Sequence, residues 1–598
     1  MPPPPLADDR AAAPLLRCAR VVALVAVASL IAVSAFRPDL LAPRFRGDAG
    51  IAPPTFAAAA STVAASLWGA AAALALLGLL MGAGPRAQGR LGALLAGGLL
   101  WCAFLAFARP LQGWLVDDAA ITFAYAENLA HGHGLVAHPA LPPEEGYSPT
   151  SWMLLLAAAS AAGLELAGTA VVASQILAGL TLLLVTRAAL KLLGRHASPE
   201  AMVLTGTVAL GAPLAVWLNA GLEHALQAFL ITATATAPLL WRRWHIVGGL
   251  SLALLTLTRP EAPLLVGALT VALVLARRRE ATVTWRRIGW TVAPACAAAA
   301  ALLAFRLLYF GDPLPNPYYA KAQGTTTLRL FNPFGSGWRY LLDWASASGT
   351  LVLVPLLLLG ATARQLPLAM RAVAALGLGQ LAFVILVGGD WMDESRFVAP
   401  VLPLAAIATA YAHAELQMRV GVARAGLVAL VASAALALCT TVSLVRFVAA
   451  PTTPLATVSA IGHEFATLAQ RLGVERPTVA THDAGGTTWA ARLELVDLGG
   501  LCNRALAQHM DDRAFVERYL FEQRRPTFVF GSTTQFAAGR TGFHLSPRFA
   551  ADYVALEFPG RPYMDGGLCH VRREVVREVP GLRTVRDGGR VVKVVVEG

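Results

Sequence analysis

At 598 residues the chain is long enough for several domains, yet only 14% of it is charged, 56% is hydrophobic and its mean hydropathy is +0.59. A soluble globular chain carries about 25% charge, so charges this sparse cannot cover the surface of a soluble protein of this size. With only six Cys, no Gly-X-Y period and abundant Leu, Val and Ala, collagen-like, disulfide-framework and disordered chains are excluded as well. The net charge of +12 does not point to a nucleic-acid partner. Residues 1–450 hold 30 Lys+Arg and 20 Asp+Glu, and most of that excess base sits in short loops between apolar runs, as the positive-inside rule expects.

Runs apolar enough to be spans, or nearly so, fall near 20–36, 57–82, 91–108, 169–187, 200–217, 222–240, 245–258, 262–276, 288–308, 347–363, 367–388, 397–415 and 422–447. That predicts a polytopic α-helical membrane protein of about 13 spans. Arg86/Arg90, Arg187/Lys191/Arg195, Arg242/Arg243, Arg277–Arg279 with Arg286/Arg287, Arg364/Arg371 and Arg419/Arg424 fall on alternate loops, which are therefore cytoplasmic. Arg37, Arg44 and Arg46 break this rule. The opposite, outer side receives 109–168, 218–221, 259–261, 309–346, 389–396 and the C-terminus. Between Leu111 and Gly168 there is no Lys or Arg, but there are six carboxylates. The apolar stretch 151–164 has only 14 residues, short of the ~20 that a span needs. It reads as an interfacial helix within a large first outer loop, about 109–168.

Ionisable groups collect on the outer side, where they are functional hints by default. The densest element begins Trp114-Leu-Val-Asp117-Asp118 and runs through Tyr125, Glu127, Asn128, His131 and His133 to Glu145-Gly146-Tyr147-Ser148-Pro149-Thr150-Ser151-Trp152. Asp117 and Asp118 are about 100° apart on a helix, so at most one points straight into a cleft. Asp117, Ile121 and Asn128 share a face. A solvated acidic loop with an N-capping Asp is the plainer alternative. It loses ground because Arg259, Lys321 and Arg396 lie on the same side of the membrane.

These residues carry a resemblance. Asp117-Asp118-Ala-Ala-Ile-Thr-Phe, Tyr125-Ala-Glu-Asn128, Gly132-His-Gly134 and Glu145-Gly-Tyr-Ser are similar to the first-outer-loop signature of GT-C membrane glycosyltransferases. The group most resembled is the one around the mycobacterial terminal β-arabinofuranosyltransferase. Gly221-Leu-Glu223, Arg259-Pro-Glu261, Tyr309 to Asn316 with Tyr319-Ala-Lys321, Gly388-Gly-Asp390-Trp391 with Arg396-Phe397, Asp483-Ala-Gly485 and Val496-Asp497 continue it over roughly 110–505. Ala124, His138 and the position of Pro149 depart from the pattern.

The resemblance implies transfer of a sugar from a polyprenyl-phosphate donor to an acceptor hydroxyl of a cell-envelope glycan or glycoconjugate. The reaction would occur on the outer face of the cytoplasmic (inner) membrane. Asp117 aligns with the first acidic residue of the motif and is expected to be the general base, with Asp118 orienting it, binding acceptor hydroxyls or raising its pKa. One base and a phosphate leaving group would invert the anomeric centre. Arg396 suits the donor phosphate because guanidinium clamps phosphate in two places, with Arg259 and Lys321 as further cations. Asn128, His131, Glu145, Tyr147, Glu223, Glu261, Asp390 and Trp391 are expected to line the substrate cleft. Asp117, Asp118 and Glu223 or Asp390 could supply oxygen ligands to a divalent metal, but none is assigned, since a phosphate neutralised by Arg needs none. A non-catalytic membrane scaffold or polysaccharide-export partner is the alternative; it should have lost the outer carboxylates and Arg396.

Residues 451–598 carry 18 Lys+Arg and 16 Asp+Glu, a soluble-like density. Short β-branched runs (Thr478-Val-Ala, Thr527-Phe-Val-Phe, Arg590 to Val596) alternate with helical patterns such as 504–523, which predicts an extracytoplasmic α/β domain following the 1–450 membrane module. It would hold an acceptor polysaccharide over the cleft or brace the outer loops. Cys502 and Cys569 form one disulfide there or remain two buried thiols.

Overall fold

The computed structural model describes residues 56–82, 89–322, 335–363, 365–531, 541–561, 563–564 and 569–597. The first apolar run, Arg37, Arg44, Arg46, Arg86 and Arg364 lie outside them. Among the described residues seven helices are long and apolar enough to cross a membrane: Ala58–Gly82, Arg90–Leu111, Leu166–His196, Trp285–Phe310, Leu368–Val387, Arg396–Val420 and Val422–Ala449. The expected runs 222–240, 245–258 and 262–276 form the shorter helices His224–Leu240, Trp244–Thr256 and Ala262–Arg277.

Among the described residues two of the expected runs are interrupted or bent. The run 200–217 is interrupted after Ala209 and resumes at Ala212–Trp217, because Pro213 has no N–H for the carbonyl one turn back and its ring crowds that turn. The run 347–363 is the second limb of a pair, Ser336–Ala347 and Thr350–Ala361, bent by 86° around Gly349, whose φ is +69°. The stretch read as an interfacial helix is the 12-residue helix Thr150–Ala161.

The long helices differ in how deeply they are embedded. The Arg396–Val420 segment is 83% buried within the chain over its most apolar window, and Trp285–Phe310 only 17%.

The C-terminal part folds as expected around a sheet. Seven strands, β1 Thr478–Thr481, β2 Glu494–Asp497, β3 Phe528–Phe530, β4 Tyr553–Glu557, β5 Cys569–Arg572, β6 Leu582–Asp587 and β7 Arg590–Val596, lie in the order β2-β1-β3-β5-β4-β7-β6. β1 pairs in parallel with both β2 and β3, and β5 turns the sheet antiparallel. The helix Leu455–Arg471 covers one face, where Phe465 stacks on Phe528 at 5.0 Å. The predicted helix 504–523 is interrupted: Arg504–His509 and Arg513–Glu517 are followed by a π-helical turn, Arg518–Arg524. Cys502 and Cys569 are both buried and no disulfide joins them, Cys569 Sγ lying 3.4 Å from Met564 O, so the alternative of two thiols is the one the structure shows.

One hydrophobic core runs from the apolar helices through Trp114, Phe123, Tyr147 and Trp152 of the outer loop to Ala484, Leu495 and Cys502 of the C-terminal domain. That continuity positions the polar cluster described next.

Candidate active site

The helix Asp117–Ala130 begins where a β-like lead-in ends. Val116 pairs with Pro454, Leu455 N–H donates to Leu115 O, and Asp117 N–H donates to Thr453 O. The first-turn carboxylates then diverge as helix geometry requires. Asp117 is 3% exposed, and its oxygens accept from the Gly485 and Gly486 amides at 2.9 and 2.6 Å. Burial, then the nearby Asp483 and Asp118, push its carboxyl up to about 8 against those two donors. Asp118 keeps 27% side-chain exposure and lies 3.8 Å from Arg396 Nη1. Of the two, the carboxylate expected to be the base is the enclosed one, and its neighbour is the one solvent reaches.

Arg396 opens a 3₁₀ turn, Arg396–Val401, at the head of the most buried long helix. Its Nε lies 2.6 Å from Asp390 Oδ2, close enough for an ion pair although the N–H does not aim along that line. Its guanidinium also sits 5.1 Å from the Phe397 ring centroid and 5.6 Å from that of Trp217. The preceding loop turns through left-handed backbone: Gly388 and Gly389 have φ of +88° and +85°, which glycine adopts freely, whereas Glu394 and Ser395 have +54° and +45° and are strained. Positive φ in a non-glycine residue costs on the order of 1–3 kcal/mol and persists only where surroundings enforce it.

Here they do so on Glu394, whose carboxylate accepts from Ser443 Oγ at 2.6 and 2.8 Å and whose carbonyl accepts from Trp217 Nε1. Burial raises Glu394 from 4.5 to about 7. The folded state therefore binds the extra proton, and stability falls as pH rises from about 4.5 through 7. Glu394→Gln is expected to flatten that slope, read as thermal unfolding at pH 5 and pH 8; an unchanged slope would remove Glu394 as its source.

Arg259, expected at the donor phosphate, is instead enclosed. It is 9% exposed, with Nη1 2.5 Å from Glu223 and Nε 3.0 Å from Glu261, which in turn accepts from Gln227. A buried guanidinium needs neutralising, and these two carboxylates do it internally. Glu223 and Glu261 are thereby turned away from the substrate-lining part expected of them. Lys321 is exposed and forms no ion pair among the described residues.

The other expected lining residues separate into two sets. Asn128 donates to the Val136 and Ala137 carbonyls, and Tyr147 is buried with its ring 5.0 Å from that of Tyr125. Glu145 is 3% exposed and takes both limbs of Arg306, at 2.7 and 2.9 Å. These three hold the outer loop in shape. His131 is exposed, its Nδ1 2.8 Å from Glu127 O. Trp391 is 67% exposed, and its N–H donates to Asp390 Oδ1. Among the described residues no three His, Cys, Asp or Glu side chains gather to hold a metal ion.

Nothing local in the sequence marks Arg306, which lies inside an apolar run, or its partner 161 residues away. Arg306→Leu would leave Glu145 buried without its cation. Loss of one partner of a buried pair costs about 3–5 kcal/mol, so thermal unfolding should drop sharply, and Arg306→Leu/Glu145→Leu should recover most of the loss.

Residues 457–574 match a family described as a domain of unknown function (DUF8728). No curated protein matches the chain. Among solved structures the chain is similar to ArnT from Cupriavidus metallidurans bound to undecaprenyl phosphate, with 15% identity and a TM-score of 0.49 over 75% of this chain and 94% of that one. The apo state of the same protein gives 15% identity and a TM-score of 0.46 over 76% and 95%.

Proposed function

We propose that this protein is a GT-C-type glycosyltransferase that moves a sugar from a polyprenyl-phosphate donor to an acceptor hydroxyl of a cell-envelope glycan or glycoconjugate, with inversion. The observation that carries the reading is the pair Asp118–Arg396: a part-exposed carboxylate 3.8 Å from a buried guanidinium at the end of an apolar helix. Glycosyl transfer from a phosphate carrier needs this combination, a proton acceptor for the incoming hydroxyl and a fixed cation for the departing phosphate.

In this reading Asp118, rather than the enclosed Asp117, takes the acceptor proton as its oxygen attacks the anomeric carbon. The carbon–oxygen bond to phosphate breaks on the opposite face, which inverts the centre. Asp390 meets Nε of Arg396 while Asp118 lies 3.8 Å from Nη1, so the terminal edge of the guanidinium is turned toward the part-exposed carboxylate, where a phosphate oxygen would be met. Lys321 is a second cation at the rim. Trp391, exposed beside Asp390, offers an apolar ring to a sugar face or to the lipid chain, and His131 lies on the same outer loop as Asp118.

In this reading residues 109–168 and the C-terminal domain lie on the outer face of the cytoplasmic membrane, which the charge asymmetry of the loops supports. Single cysteines at Ala140 and Asp587, both exposed, should react with an impermeant thiol reagent in intact cells once the native exposed cysteines are replaced. Labelling only after permeabilisation would reverse the orientation. The activity itself is tested with purified full-length protein and a panel of polyprenyl-phosphate sugars with glycan acceptors. Folded protein that transfers none of them would refute the reading and favour a scaffold or export partner.

A further inference from the structure

We infer that the C-terminal domain is the positioning arm of the active site: through Gly485 and Gly486 it holds Asp117, and thereby aims Asp118 at Arg396. The inference rests on the reading of Asp118 and Arg396 given above, and it assigns a task to the domain.

The contact is built rather than incidental. Both Asp117 oxygens are engaged by consecutive backbone amides from residues 368 and 369 positions away. The backbones approach so closely that a Cβ on Gly485 would fall 2.0 Å from Asp117 O. A Cβ on Gly486 would fall 2.6 Å from Ser459 N. Only glycine fits either place without movement. The Asp117 amide is held from the other side by Thr453 O, so main chain and side chain of this residue are both fixed by the C-terminal part.

The grip continues along the same helix. Trp489 packs edge-on against Phe123 at 5.2 Å, and Arg492 pairs with Glu127 at 2.6 Å. Tied at residues 117 and 123, and more weakly at 127 where the Arg492 side chain is 71% exposed, the helix is restrained against rotating about its axis and sliding. The next residue after the clamp is Asp118, about 100° round, and its direction follows from where Asp117 is tied. Asp117 is thus a positioning residue. The amides that hold it open the short helix Gly485–Trp489 that follows β1, inside the segment 457–574 matched as a domain of unknown function.

The test uses full-length Gly485→Ala with a polyprenyl-phosphate sugar that supports wild-type transfer. Displacement of a reacting group by about 1 Å costs on the order of 10²-fold, so kcat should fall by about 10–100-fold while donor KM stays within about twofold. A control, Phe465→Leu in the C-terminal core, lowers the unfolding temperature without touching Asp117 and should keep wild-type kcat. Wild-type kcat in Gly485→Ala, or an equal loss in Phe465→Leu, overturns the inference.

Hydrogen exchange provides an arm that needs neither activity nor the glycine variant. In Asp117→Asn one amide donor faces an NH₂ group, so the peptide covering 485–489 should exchange at least about tenfold faster than in wild type. Unchanged exchange there refutes the clamp. If wild-type protein transfers no sugar while Asp117→Asn still loosens 485–489, it is the functional reading that has failed, and the clamp stands.

Discussion

Asp118→Asn is expected to lower kcat by about 10²–10⁴-fold, about 3–5 kcal/mol of barrier, with donor KM nearly unchanged. The substitution keeps the size of the side chain and removes only its ability to take a proton. Asp118 is the part-exposed carboxylate of the pair, and its neighbour's oxygens are already engaged by two amides. An incoming hydroxyl can reach the first and is shut off from the second. Asp117→Asn should therefore cost less, through orientation alone. Steady-state kinetics of both variants decides the matter. Near-wild-type turnover in Asp118→Asn with a collapse in Asp117→Asn would return the base to Asp117, and near-wild-type turnover in both would remove the mechanism.

Arg396→Ala should produce the second large effect, and a compound one. Its loss removes the cation proposed for the donor phosphate, and donor KM should rise by about 10–100-fold, or about 1.4–2.8 kcal/mol. It also leaves Asp390, whose side chain is 5% exposed, as a buried charge without its cation, at a cost of about 3–5 kcal/mol of stability. The two effects separate in Arg396→Ala/Asp390→Ala, which should regain stability but not donor affinity. Arg396→Lys keeps the charge and loses the planar fork, so it should recover stability more fully than donor KM. Unchanged donor kinetics in the stable double variant would take Arg396 out of the phosphate site.

Much of the architecture was legible because a bilayer imposes one demand, apolarity, over long runs. Most of the expected runs coincide with helices, and the strand runs at 478, 527 and 590 lie in one sheet. Hydropathy could not show where a run breaks. Pro213 and the positive φ of Gly349 do that, and an average over many residues dilutes both.

The site was legible as a set of residues and not as a set of partners. That at most one of Asp117 and Asp118 can point straight into a cleft follows from helix geometry; which of the two is enclosed depends on Gly485 and Gly486, far away in sequence. In the same way Glu145, Glu223 and Glu261 look alike as outer carboxylates. The structure spends all three on Arg306 and Arg259, and the sequence holds no local sign of that pairing.

The unequal embedding of the long helices has a consequence for how freely each can drift. A surface facing hydrocarbon is asked only to be apolar, so the outward positions of Trp285–Phe310 should accept Leu, Ile, Val, Phe or Met almost interchangeably. The Arg396–Val420 helix has neighbours on nearly every side, and there each side chain must match a particular hollow. A library of random apolar replacements should therefore leave the first helix permissive and the second intolerant. Within the permissive one Arg306, tied to Glu145, should behave as though it belonged to the other, as should the inward-facing Ile288, Thr291 and Ala295.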